Sequence, residues 1–200
     1  MPSCMVGFSC TEPGNFFFID NLVVMIEKSL LTTVDIRPMK LEDIKQVQSI
    51  DRISFSIPWP EHAYRYELRE NPASLLWVAE AHLNGGELKL VGVIVVWLIL
   101  DEVHIATLAV HPDFREQGIG SQLLATALKT SIQKGANQSA LEVRSNNAAA
   151  QNLYQRFGFE IVGRRNRYYQ DNHEDAVLMR LYRMGKAYSM WLEDNFSFER

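Results

Sequence analysis

The hexapeptide Arg115-Glu116-Gln117-Gly118-Ile119-Gly120 joins two stretches of different periodicity. Upstream, residues 103–111 read as an extended strand stopped by Pro112. Downstream, Ile119, Leu123, Leu124, Ala127, Leu128 and Ile132 recur at helical spacing, and Gly135 follows as a stop. Glycines at the start of a helix let a pyrophosphate approach free backbone N–H groups, where the helix dipole also favours negative charge. The same glycines could serve only a tight turn, and a bare Gly-x-Gly does not separate the two uses. The stretch is neither a phosphate loop ending in Gly-Lys-Ser/Thr nor the G-x-G-x-x-G dinucleotide fingerprint.

Outward from that turn, short strands and helices alternate. Residues 34–37 form a short strand ended by Pro38, and residues 40–55 carry Leu41, Ile44, Val47, Ile50 and Ile53 at helical spacing. Pro58-Trp59-Pro60 breaks the chain before a second helix, 61–70, which ends near Asn71-Pro72. Residues 74–83 and 88–100 flank Asn84-Gly85-Gly86-Glu87, a hairpin signal. Past the central helix, residues 139–144 form a strand, 146–157 a helix with Gly158 at its end, 159–162 a strand, and 176–181 the closing strand. The predicted order β-α-α-β-β-β-α-β-α-β-β is a mixed α/β domain. Its crossover over residues 103–144 makes two strands parallel. No internal repeat or linker interrupts residues 34–183, which read as one domain. Residues 1–33 read as a poorly specified extension, and residues 184–200 as a tail whose Tyr188, Met190, Trp191 and Phe196 either pack on the domain or serve a partner.

Leu108-Ala109-Val110-His111-Pro112, then Arg115, then Gly118 and Gly120, resembles motif A of the GNAT acetyltransferase superfamily. The resemblance implies a mixed central sheet flanked by helices, with two parallel strands splayed around an acetyl-CoA site. It also implies that Leu108, Ala109 and Val110 offer main-chain groups to the pantetheine arm and acetyl carbonyl. By the same resemblance Arg115, Gln117, Gly118, Ile119, Gly120 and Ser121 belong to the turn that binds the phosphates of coenzyme A. Glu116 puts a negative charge beside that turn, which weakens that one position as a contact.

A second signal is Leu141-Glu142-Val143-Arg144-Ser145-Asn146-Asn147-Ala148, followed by Leu153-Tyr154 and Phe157-Gly158-Phe159. On a strand, Leu141 and Val143 point one way and Glu142 the other. Tyr154 sits two turns into the next helix, and a short turn joins the two elements, so both side chains can reach the cleft beside the crossover. A carboxylate and a phenol suit amine acylation, in which the amine must lose a proton and the departing thiolate must gain one. An α-amine, with a reference pKa of about 7.7–8.0, is partly uncharged near neutral pH. A lysine, at about 10.4, would need about 3.5 kcal/mol more help. Taken singly, Glu142 could be a surface carboxylate paired with Arg144, and Tyr154 a core aromatic.

This stretch is similar to the ribosomal-protein-alanine N-acetyltransferases, the RimI-like branch of the superfamily. The similarity implies Glu142 as general base, Tyr154 as general acid and Asn147 as a coenzyme A contact. Pro58-Trp59-Pro60-Glu61 resembles the Pro-Trp-Ser-Glu turn of that branch. Arg164-Arg165-Asn166-Arg167-Tyr168-Tyr169 resembles its paired-tyrosine loop. These matches make Trp59, Tyr168 and Tyr169 candidate contacts to a peptide N-terminus, while the arginine run could be only a solvated loop or a phosphate anchor. The implied activity is transfer of acetyl from acetyl-CoA to a protein N-terminal amine, the alanine of a small-subunit ribosomal protein. A same-fold enzyme acting on a small amine or lysine, and a non-catalytic acetyl-CoA-binding protein, are the competing expectations.

Composition sets the remaining bounds. A net charge of -4 argues against nucleic acid as a partner. Cys4 and Cys10 are the only cysteines and both precede residue 11, which favours a reducing compartment over a disulfide scaffold. No histidine pair has helical i, i+4 spacing, so no metal site is expected. Asp20 and Asn21 interrupt the apolar N-terminal stretch and no basic residue precedes Lys28, so neither a signal peptide nor a membrane span is expected. If translation starts at Met25, much of that stretch is absent from the native protein, and N-terminal sequencing that found Met1 or Pro2 would reject that start. A cytoplasmic monomer is the expectation.

Overall fold

The computed structural model describes residues 31–84 and 86–196. Most of the expected extension, with Cys4, Cys10 and Met25, lies outside the described residues. The chain runs β1 (Leu31–Pro38), a 3-10 turn (Leu41–Asp43), α1 (Ile44–Ser54), α2 (Glu61–Arg69), β2 (Ser74–Leu83), β3 (Leu88–Ile99) and β4 (Glu102–Val110). A second 3-10 turn (Pro112–Phe114) leads to α3 (Ile119–Gln133), β5 (Gln138–Arg144), α4 (Ala148–Arg156), β6 (Glu160–Arg165), β7 (Ala176–Leu181) and α5 (Lys186–Phe196). The predicted order holds through β7. The first strand starts three residues ahead of the predicted one, its Leu31 pairing with Leu83.

All seven strands share one sheet, ordered β1-β2-β3-β4-β5-β7-β6. Every pairing is antiparallel except β4 with β5, the strands of the predicted crossover. The two faces carry separate cores, as the period-2 alternation of the strands requires. On one face Ile44, Val47 and Ile50 of α1 and Tyr64 of α2 pack on Leu76, Val78, Val93 and Val95. On the other, Leu123, Leu124, Ala127 and Leu128 of α3 pack on Trp77, Ala79, Ile94 and Val96. Gly92 permits the close approach of α3, since a Cβ there would lie 2.9 Å from Leu123 Cδ1 and 3.2 Å from the Ala109 carbonyl oxygen.

The tail folds back onto the domain. Leu192 is buried, Phe196 stacks on Phe157 with ring centroids 4.3 Å apart, and Glu193 pairs with Lys129 of α3 at 2.7 Å. Of the two expectations for its aromatics, packing is therefore the one observed. Among the described residues no helix is long and apolar enough to cross a membrane, and no group of three His, Cys, Asp or Glu could hold a metal ion.

Candidate active site

The site begins where β4 and β5 part. They pair only from Glu102↔Gln138 to His104↔Ala140. Two residues later Ala106 is an extra residue against β3, because Val95 faces Thr107 while Val96 faces Ile105. A bulge bends its strand and increases the local twist. From Ile105 onward the main-chain groups of β4 that face β5 have no sheet partner. On β5, Ser139, Leu141 and Val143 are buried, so Glu142 and Arg144 face the opposite way, and the Glu142 side chain is 16% exposed.

One side of the gap is a pocket of about 320 Å³ at the N-terminus of α3. Leu108, Val110, Arg115, Gly118, Ile119, Gly120 and Ser121 line it, together with Leu153, Tyr154 and Arg156. Gly118 caps the helix at φ +80, a left-handed conformation that glycine adopts without a steric cost. The first bond into the helix runs from Gln122 N to the Gly118 carbonyl at 3.0 Å. The N–H groups of residues 119–121 therefore have no intrahelical acceptor. Arg115 and Arg156 also line the pocket, with Glu116 as its one carboxylate, and the free amides with the two arginines fit the phosphates of coenzyme A. Arg156, which lies 3.4 Å from Ser121 Oγ, was not singled out by sequence.

Four predicted cofactor residues are qualified by the geometry. Ala109 is buried in the core beneath α1 and can offer only main-chain atoms. The Val110 carbonyl accepts from Arg115 Nε at 3.1 Å, and the Gln117 side chain turns to the Asp113 carbonyl at 3.5 Å. Asn147 uses its side-chain oxygen to cap α4, accepting from Ala150 N at 3.0 Å.

The other side of the gap is a cleft of about 560 Å³ lined by Glu142, Tyr154, Asn147, Trp59 and Tyr169, with Phe55, Ile57, Arg144 and Asp171. It shares Leu108, Ala150 and Tyr154 with the pocket, so the two cavities meet at the phenol. Burial raises the pKa of Tyr154, and the neighbouring Tyr169 adds to the shift, so the phenol keeps its proton far above neutral pH. Burial likewise pushes Tyr169 up to about 12. Trp59 is fixed from behind, its backbone N–H donating to the buried Asp51 Oδ2 at 2.5 Å while its ring stacks on Trp97.

Glu142 does not pair with Arg144. His104 Nε2 lies 3.2 Å from its Oε2, and Arg165 reaches its Oε1 at 3.1 Å. Arg144 instead binds Asp171 at 2.8 Å and Glu174 at 3.2 Å, reaches Ser56 Oγ at 3.1 Å, and stacks over the Tyr169 ring at 3.9 Å. Tyr168 does not line the cleft: it is 43% exposed, its ring sits T-shaped to Tyr169, and the Arg165 guanidinium lies over it. His104 was missed by sequence, although a parallel β4–β5 pair places it on the face that carries Glu142.

Residues 44–159 match the acetyltransferase (GNAT) family. The chain is 38% identical, over 74% of its length and 95% of the relative's, to a Bacillus subtilis (strain 168) protein provisionally named a ribosomal protein bS18-alanine N-acetyltransferase. It is 30% identical, over 73% of its length and 95% of the relative's, to the Escherichia coli (strain K12) protein of that name. The crystal structure of the Escherichia coli ribosomal-protein-S18-alanine N-acetyltransferase superposes with a TM-score of 0.67 at 27% identity, covering 83% of this chain and 100% of that one. A glycine-capped helix start beside two splayed parallel strands thus meets a family match over more than half of the sequence, and the chain belongs to the GNAT acetyltransferase family.

Proposed function

We propose that this protein transfers the acetyl group of acetyl-CoA to the N-terminal α-amine of a protein, with the N-terminal alanine of ribosomal protein bS18 as its substrate. One observation carries the reading: Glu142 and Tyr154 line a single cleft that joins the phosphate-binding pocket at Tyr154. Acetyl-CoA supplies an activated acyl carbon, and the residues of the chain handle the protons. Glu142 takes a proton from the incoming amine, directly or through a water. The amine nitrogen bonds to the acyl carbon, the carbon–sulfur bond breaks, and the Tyr154 phenol donates to the departing thiolate. The main-chain N–H groups of Leu108 and Val110, which the alternation of the ladder turns away from β3, stabilise the developing oxyanion. Arg165, whose side chain is 53% exposed, holds Glu142 only weakly, so an arriving ammonium can take its place.

The α-amine suits this machinery because its reference pKa is about 7.7–8.0, so no strong base is needed to free its lone pair. The protein acts as a cytoplasmic monomer on a peptide terminus presented through the cleft, with Trp59 and Tyr169 lining its walls. A panel of peptides led by alanine or other residues, with free amino acids, polyamines and internal-lysine peptides alongside, tests this. Mass spectrometry should locate the acetyl group on the α-nitrogen of alanine-led peptides. Acetylation confined to lysine ε-nitrogen or to small amines would overturn the assignment.

A further inference from the structure

We infer that the C-terminal helix α5, which lies beyond the residues 44–159 matched by the family, is a brace for the Tyr154 phenol, with Tyr188 as its positioning residue. The inference rests on the proposed role of Tyr154. The Tyr154 hydroxyl makes no hydrogen bond to another described residue, so its aim is set from the other end, by the backbone of α4 and by ring packing. Phe159 tilts against the Tyr154 ring with centroids 5.6 Å apart. The Tyr154 carbonyl accepts from Phe157 N at 3.0 Å and from Phe159 N at 3.1 Å. Phe157 is thus the residue that closes the last turn of α4 beneath Tyr154.

Phe157 is held by α5. Its carbonyl accepts from the Tyr188 hydroxyl at 2.7 Å, which satisfies one of the acceptors that a helix end leaves open. Its fully buried ring stacks on Phe196 at 4.3 Å and meets the edge of Trp191 at 6.2 Å, while Tyr188 stacks on Trp191 at 5.3 Å. A bond from the Tyr188 hydroxyl therefore reaches the Tyr154 backbone through a single intervening residue. Loosening it leaves the phosphate-binding amides of α3 in place and frees only the turn that aims the phenol.

The test is a double-mutant cycle on the full chain with acetyl-CoA and an alanine-led peptide. Tyr188→Phe removes one hydroxyl and keeps the ring, so it is expected to lower kcat by roughly three- to tenfold, the scale of one hydrogen bond, with KM for acetyl-CoA unchanged. In a Tyr154→Phe background the same substitution should change kcat no further, because the phenol it aims is gone. Glu193→Gln, which breaks the ion pair to α3 without touching Phe157, controls for general loosening of α5 and should leave kcat at its starting value. An unchanged kcat in Tyr188→Phe, the same loss in both backgrounds, or an equal loss in Glu193→Gln would each overturn the brace. A Tyr154→Phe variant that turns over normally would instead overturn the role assigned to Tyr154 itself, so the two failures are distinguishable.

Discussion

At the scale of single residues, one cleft is lined by the Glu142 carboxyl group and by the Tyr154 phenol, which holds its proton. Glu142→Gln keeps the shape and removes the basic oxygen, so kcat should fall by on the order of a hundredfold or more. Tyr154→Phe should lower kcat as well, by a smaller factor where solvent can protonate the leaving thiolate. In both variants KM for acetyl-CoA should stay within about twofold, since neither side chain belongs to the phosphate turn. Steady-state kinetics on an alanine-led peptide check both, and unchanged turnover in the pair would discard the mechanism. Their shared cleft could be expected from sequence because only twelve residues, one short turn and two turns of helix separate them. The others come from distant chain segments. His104 reaches Glu142 only through the β4–β5 register, and Ser56 meets Asp171 across a sequence separation of 115. Tyr168 and Tyr169 look equivalent as a motif, yet the structure turns one into the cleft and leaves the other outside.

Among the elements, the turn into α3 was the most readable, because Gly118 answers to backbone geometry and not to tertiary context. Gly118 has φ +80 and no atom within 4 Å of where a Cβ would stand, so a side chain there meets strain and no clash. Gly118→Ala should therefore cost about 1 kcal/mol of stability, tilt the amides of residues 119–121 and raise KM for acetyl-CoA several-fold, with kcat moving less. Acetyl-CoA titration kinetics and a thermal melt measure the two effects, and a normal KM would argue that these amides do not hold the phosphates. Two of the register shifts in the sheet were not legible. Each is a mismatch between two strands, Ala79/Glu80 against β3 and Val95/Val96 against β4, and neither leaves a glycine or proline at the extra residue, Val91 or Ala106, to announce it. Yet the extra Ala106 accompanies the parting of β4 and β5 that opens the cleft.

For the whole molecule, the sheet order β5-β7-β6 puts the last strand in sequence inside the sheet and leaves β6 at the edge, an arrangement that short-range periodicity cannot specify. Packing the helices on that sheet buries phenols on both of its faces. Burial raises the pKa of Tyr64, Tyr154 and Tyr188 and pushes Tyr169 up to about 12, with the Asp51 charge adding to the shift on Tyr64. In the unfolded chain each of these phenols ionises near its reference pKa of about 10. Above that pH the unfolded state binds fewer protons than the native state, so unfolding becomes easier as pH rises. Below it both states keep the protons and these groups exert no pH dependence. The buried phenols of Tyr64 and Tyr154 each steepen the fall by about 1.4 kcal/mol per pH unit, while Tyr188 and Tyr169, both only partly buried, contribute less. Urea unfolding between pH 7 and 11 should show no contribution from these phenols up to about pH 9 and a steep loss beyond about pH 10. The tyrosinate absorbance of the four phenols should rise together with the loss of structure. Their gradual ionisation in a protein that stays folded would show that they are open to water.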